Sequence, residues 1–322
     1  MTGTPSLAPR PLGATGISVT PICVGTSPLA SMARLYGYDV DEDRAVATVE
    51  AAFAGPLDFI DTSNGYGEHG EAEVRIGAAV RRAGGLPPGI VLATKVDPAP
   101  GSDDFSGDRV RASFAESLER LGVDRVPLLH LHDPERIPFE EGVAPGGPVE
   151  ALVALREQGL VDRIGVAGGP VPLLQRYLDT GAFDVVLSHN RYTLLDRSAA
   201  GLFARAAAAG LGVINAAPYG GGMLAKGPEV QTKYAYGERD DRVARAATAM
   251  GEACARHGVP LAAAALQFSM RSADVHSTVV GVSSPERIAQ TVELASVAIP
   301  EALWAELETL VPPADGWLDP PA

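Results

Sequence analysis

Four ionisable side chains, Asp61, Tyr66, Lys95 and His132, stand at or just past the ends of apolar runs in the first half of the chain. The runs are Pro56-Leu-Asp-Phe-Ile-Asp61, Ile90-Val-Leu-Ala-Thr-Lys95 and Val126-Pro-Leu-Leu-His-Leu-His132. Side chains at the exits of successive parallel strands converge on one rim, so these four can form a proton-transfer device. A free phenol titrates near ~10, too high for acid–base work at neutral pH. A neighbouring ammonium is expected to lower that value by favouring phenolate, and a carboxylate to hold the ammonium charged and aimed. The competing reading is a set of unrelated surface ion pairs, and the placement at strand exits argues against it.

Positioning four groups in this way requires a scaffold of repeated strands. Apolar runs at 21–25, 57–61, 90–95, 126–132, 162–167, 183–188, 211–216 and 277–281 read as strands. Amphipathic, Ala-rich stretches follow them at 41–54, 70–83, 107–121, 147–159, 170–180, 196–209, 240–257 and 284–295 and read as helices. Eight strand-then-helix units without a linker-like break predict an α/β fold, a (β/α)8 TIM barrel, in one domain over residues 1–322. A doubly wound sheet normally stops nearer about five or six units. Residues 10–20 read as a hairpin capping the barrel bottom, and residues 300–311 as an extra C-terminal helix. Two long segments are expected to cover a site at the strand C-termini: Ala217 to Asp241, with Tyr219, Tyr234 and Tyr236, and the tail Asp315-Gly-Trp-Leu-Asp. The alternative is aromatics packed on the barrel exterior.

The 322 residues are 46% hydrophobic and 20% charged, enough for a large core. The net charge of −14 leaves no basic patch for nucleic acid or an anionic membrane, since Arg81-Arg82 and Arg109 to Arg111 are too short. Cys23 and Cys254 lie outside any metal or redox spacing. A start without a signal-like segment and the lack of a membrane-length apolar run predict a cytoplasmic chain. No unpaired apolar helix face stands out, and a monomer is expected.

The run Asp61-Thr-Ser-Asn-Gly-Tyr66-Gly-Glu-His-Gly-Glu71 resembles the aldo-keto reductases, whose Asp-Thr-Ala-x-x-Tyr-Gly-x-x-Glu stretch is matched at Asp61, Thr62, Tyr66, Gly67 and Glu71, with Ser63 in place of the Ala. The resemblance continues at Ala93-Thr-Lys95, Leu131-His132-Asp-Pro134, Ile164-Gly-Val166 and Pro218-Tyr-Gly-Gly-Gly222, in the correct order along nearly the whole chain. It implies a barrel oxidoreductase that transfers hydride between a nicotinamide cofactor, NAD or NADP, and a small-molecule carbonyl or alcohol carbon. Tyr66 then acts as proton donor or acceptor, Lys95 and Asp61 tune it, and His132 orients the substrate oxygen. His189-Asn-Arg-Tyr-Thr-Leu-Leu-Asp196 and Val213-Ile-Asn-Ala-Ala-Pro-Tyr219 look closest to the aldose and pyridoxal dehydrogenase branch, which oxidises aldoses such as L-fucose at C1 or pyridoxal at C4. An aldose 1-dehydrogenase is the first expectation; a pyridoxal 4-dehydrogenase or a general aldehyde reductase is the alternative.

The cofactor contacts that the resemblance implies are Gly25, Thr26, Ala167, Gly168, His189, Ala217, Tyr219, Gly221, Ser283, Arg287 and Gln290. Several depart from the family pattern. Ala167, Gly168 and His189 stand where a Ser-Asn pair and a Gln usually grip the nicotinamide amide, and Ala216 where many members place a stacking Tyr. Members specific for NADP commonly carry a Lys at the position of Gly281 and an Arg matching Arg287, so NAD is expected to serve at least as well as NADP. A rival of another class is a metal-dependent barrel hydrolase. His130 and His132, two apart on a strand, point to one face, with Lys95, His189 and Asp61 within possible reach. Against it, the last strand, Thr278-Val-Val-Gly281, offers no ligand. His69, His257 and His276 read as surface or structural histidines.

Overall fold

The computed structural model describes residues 6–235, 237 and 240–320. Every apolar run becomes a strand: β1 (Ile22–Gly25), β2 (Phe59–Asp61), β3 (Val91–Val96), β4 (Val126–His132), β5 (Val161–Gly168), β6 (Val185–His189), β7 (Gly212–Ala216) and β8 (Ser277–Gly281). All eight pair in parallel and close into a barrel, with β8 beside β1. Parallel register places partners on the same face, as at Gly25 with Asp61, Lys95 with His130, and His132 with Ala167. Alternation along each strand then sorts the interior into layers. Cys23, Phe59, Ala93, Leu128, Val185 and Ile214 form an apolar plug, together with Leu12 and Val19 of the N-terminal hairpin. Two residues further along their strands stand Asp61, Lys95 and His130. The interior therefore changes from apolar to ionisable at the end where the chain leaves the strands.

The hairpin pairs Arg10–Pro11 with Ser18–Val19 and lies across the opposite end. Gly13 there has φ +57°, and a Cβ on it would come within 2.6 Å of the Gly210 carbonyl oxygen, so the turn fits only as glycine.

Helices α1 (Glu42–Ala54), α2 (Glu71–Arg82), α3 (Gly107–Leu121), α4 (Pro148–Glu157), α5 (Val171–Asp179) and α6 (Ala200–Ala208) follow the first six strands. Polar caps set several starts: Asp41 accepts from the Arg44 amide, and Ser106 from that of Arg109. In the seventh unit the expectation needs correction. The stretch read as its helix forms α7 (Asp241–Arg256), but a second helix, α8 (Leu261–Met270), follows it and contacts β8. α7 packs outside, against α8 and α10 (Glu301–Thr309). Helix α9 (Pro285–Ser296) follows β8.

Neither long segment forms a free-standing cover. Tyr234 is buried, and its hydroxyl contacts Thr193 Oγ1 and donates to the Asn190 carbonyl, both at 2.8 Å, tying the 217–241 segment to the turn after β6. Tyr236 lies outside the described residues. The tail is pinned where Leu318 N donates to Asp196 and Arg191 donates to Asp319 at 2.5 Å.

Candidate active site

Lys95 sits at the end of β3, 1% exposed, and its three ammonium protons have three acceptors. Asp61 Oδ2 lies at 2.6 Å, the Thr62 carbonyl at 2.8 Å and the Tyr66 hydroxyl at 3.0 Å. A buried cation is tolerated only with such complete pairing. The phenol comes from the loop after β2, where Gly67 at φ +99° leaves no room for a side chain because Glu71 packs against it. The expected lowering of the Tyr66 pKa is corrected here. Burial, followed by the Asp61 carboxylate, pushes the phenol well above its ordinary value, so Tyr66 rests as a neutral hydroxyl. Desolvation outweighs the neighbouring cation.

His132, at the end of β4, faces Tyr66 edge-on with ring centroids 5.6 Å apart. Its Nδ1 lies 2.7 Å from Asp97 Oδ1 and 3.0 Å from Ser63 Oγ. Asp97 was not singled out from the sequence; it lies two residues past Lys95 on the same face, and that i, i+2 carboxylate is the signal that could have found it. Burial pushes the imidazole pKa down, but the Asp133 and Asp97 carboxylates outweigh burial and raise it. His130 is fully buried one layer below, held well below its ordinary pKa by burial, with neither ring nitrogen hydrogen-bonded. Gly165 makes room for it: a Cβ there would stand 2.3 Å from His130 Nδ1.

The metal rival is corrected as well. Among the described residues, the group able to converge on one ion is Asp133, Glu135 and His189, without His130 or His132. Asp133 Oδ1 lies 3.8 Å from His132 Nε2 and 3.9 Å from His189 Nε2. Glu135 occupies the space a side chain at Gly168 would need, its Oε2 standing 2.8 Å from that Cβ position.

Of the expected cofactor contacts, Ala167 and His189 face the rim from β5 and β6. Thr26 is buried, with its hydroxyl donating to the Asp61 carbonyl, so it secures the end of β1. Gly25 is close-packed, since a Cβ would meet Val279 at 2.8 Å. Ala217 has φ 54°, a left-handed strain of roughly 1–2 kcal/mol at the exit of β7. Tyr219 buries its hydroxyl without a partner. Gly221, also left-handed, offers its carbonyl to Gln231.

Ser283, Arg287 and Gln290 gather at the start of α9, where Arg287 donates to Gln290 at 2.6 Å and no side chain caps the N-cap position. Arg44, which sequence reasoning missed, donates to the Ser283 carbonyl from α1 and lies 3.8 Å from Glu286. An uncapped helix N-terminus flanked by two arginines fits a phosphate-bearing cofactor. The three remaining histidines are structural or at the surface: His276 Nδ1 accepts from the Val213 amide, His257 meets Glu306, and His69 is exposed.

Residues 21–312 match the model of the aldo/keto reductase family. The chain is 34% identical to a D-threo-aldose 1-dehydrogenase of Pseudomonas sp over 91% of its length and 94% of the relative's. It is 33% identical to an L-galactose dehydrogenase of Arabidopsis thaliana, with 94% of each covered, and 29% identical to a pyridoxal 4-dehydrogenase of Microbacterium luteolum, with 93% and 96% covered. A solved structure described as an aldo-keto reductase from Pseudomonas aeruginosa superposes with a TM-score of 0.67 at 24% identity, covering 91% of this chain and 95% of that one.

Proposed function

The chain belongs to the aldo/keto reductase family, whose members are NAD(P)-dependent oxidoreductases, and from that premise we propose that it is an aldose 1-dehydrogenase with Tyr66 as its acid–base group. The observation that carries this reading is the buried chain from Asp61 through Lys95 to the Tyr66 hydroxyl, which opens onto the strand-exit rim. When bound, the nicotinamide supplies the hydride acceptor or donor. Tyr66 exchanges the proton of the substrate oxygen, taking it during oxidation and returning it during reduction. His132 orients that oxygen through Nε2, and Lys95 holds the phenol in place. The two relatives that act on sugars support a hemiacetal substrate, whose C1 oxidation gives a lactone. The pyridoxal relative supports the alternative.

For the cofactor, Ser283, Arg287 and Gln290 are proposed to hold the phosphate-bearing end, and Ala217, Tyr219 and Gly221 to flank it. Ala167, His189 and Glu135, beside Gly168, are proposed to meet the nicotinamide amide. Glu286 in the first turn of α9 adds negative charge where a 2′-phosphate would sit, and a side chain at Gly281 would press Pro28 at 3.1 Å. Both features support NAD serving at least as well as NADP.

No helix among the described residues is long and apolar enough to cross a membrane. A single-domain, cytoplasmic monomer is proposed. Large exposed apolar side chains such as Val74, Val143 and Val230 come from separate segments.

An oxidation screen with NAD and NADP against L-fucose, L-galactose, D-arabinose, pyridoxal and simple aldehydes tests the proposal. Turnover of an aldose above pyridoxal supports it. Turnover of pyridoxal alone replaces the substrate, and no cofactor reduction with any of them contradicts the whole reading.

A further inference from the structure

The site contains a buried hydrogen-bonded unit behind His132. Asp97 Oδ1 lies 2.7 Å from His132 Nδ1, while Oδ2 accepts from the Gly65 amide at 2.8 Å and from the Ser63 hydroxyl. The Asp97 backbone is fixed too: its amide donates to Ser113 Oγ, and its carbonyl accepts from Arg109 Nε, both at 3.0 Å. Gly65 permits the close approach, because a Cβ there would stand 2.7 Å from the Asp97 carboxyl carbon. Asp97 is 2% exposed and Ser63 wholly buried.

We infer that Asp97, supported by Ser63, is a positioning residue that fixes the tautomer and direction of His132, so that Nε2 is presented to the substrate oxygen. An ionised carboxylate only accepts hydrogen bonds, so the proton between the two groups must reside on Nδ1. Burial opposes ionisation of Asp97, but His132, Ser63 and the Gly65 amide hold its pKa down at about 2. Among the described residues Nε2 makes no hydrogen bond, with Asp133 Oδ1 at 3.8 Å, and it stays available. The other groups facing this ring are Asp133, which favours the imidazolium, and Lys95, which disfavours it, with Tyr66 edge-on and His130 and His189 close by. With Asp97 in place, Nε2 of the neutral ring accepts from a substrate hydroxyl, and Nε2 of the protonated ring donates to a carbonyl oxygen; the segment from β3 thus serves both halves of the site, Lys95 holding the phenol and Asp97 the imidazole. The inference rests on the reading of His132 as the oxygen-orienting group, but its test does not need turnover.

The test is a histidine ¹⁵N titration by NMR on the cofactor-free protein, with His132→Gln assigning the signal, for wild type, Asp97→Asn, Asp97→Glu and Ser63→Ala. Nδ1 should be protonated throughout in wild type, with a midpoint above the ordinary histidine value of ~6.5. Asp97→Asn should drop that midpoint by about one unit or more, as loss of a directly bonded carboxylate does. Ser63→Ala should drop it less, and Asp97→Glu should restore most of it. On an accepted substrate, Asp97→Asn should lower kcat about 10- to 100-fold, the span for weakening a charge-assisted hydrogen bond. The limb of its pH profile should move with the NMR midpoint, while the cofactor Kd stays within about twofold. If the Asn variant fails to fold by circular dichroism, the drop expected in Ser63→Ala decides. An unmoved His132 titration in folded Asp97→Asn, or in Ser63→Ala where the Asn variant does not fold, overturns the inference, even if activity falls. A shifted titration with no substrate turned over leaves Asp97 as the partner of His132 and counts against the functional reading alone.

Discussion

A phenol whose pKa is raised by burial and by a nearby carboxylate has different consequences in the two directions of the reaction. Reduction needs the protonated form, which is fully present at neutral pH, so its rate should stay flat into the alkaline range. Oxidation needs the phenolate, so its kcat should climb about tenfold per pH unit until the raised pKa is reached. Stopped-flow profiles in both directions check this; an oxidative plateau already at neutral pH would show that Tyr66 is not shifted upward. Lys95 carries a structural load as well as a chemical one. Lys95→Met strands a buried Asp61 carboxylate and should cost ~3–5 kcal/mol of stability, whereas the double variant Asp61→Asn, Lys95→Met should recover much of that in urea titrations without recovering turnover. Asp61, Lys95 and His132 were legible because each closes an apolar run, and Tyr66 because it lies on the glycine-flanked loop just past one. The Ser63–Asp97 contact was not, since its partners are 34 positions apart and lie past the ends of β2 and β3, whose pairing brings them together.

At the scale of elements, all eight strands were legible because uninterrupted apolar runs between polar turns have few other readings. Helix α8 was not. Its sequence, LAAAALQFSM, is apolar on all sides, and eight of its ten residues are buried, so it has no polar stripe to reveal a period. Leu266 within it is fully buried among barrel and helix side chains, and Leu266→Ala should cost ~2–5 kcal/mol, read as a shift in the denaturation midpoint; a change below ~1 kcal/mol would place α8 at the surface. The start of α9 carries the cofactor prediction. Arg287→Ala should weaken NADP more than NAD, because only the 2′-phosphate loses a charge-assisted bond, roughly 1.5–3 kcal/mol. Fluorescence titration of both cofactors checks it, and equal losses would place Arg287 on the shared diphosphate instead.

The whole molecule divides its labour along the barrel axis. The hairpin and apolar plug close one end, and the ionisable layer above them faces the rim where the loops leave the strands. Loop shape cannot be read from one sequence, which is why the groups at the strand exits were legible and the substrate was not. The central claim is that this assembled barrel carries out nicotinamide-linked hydride transfer with Tyr66 moving the proton. Its most direct test is Tyr66→Phe, with aldose oxidation and cofactor Kd measured on the same preparations. Deleting only the hydroxyl should lower kcat on the order of 10²- to 10⁴-fold, while the Kd for the cofactor stays within about twofold. Turnover close to that of the wild type, with the variant folded and binding cofactor, would contradict the account.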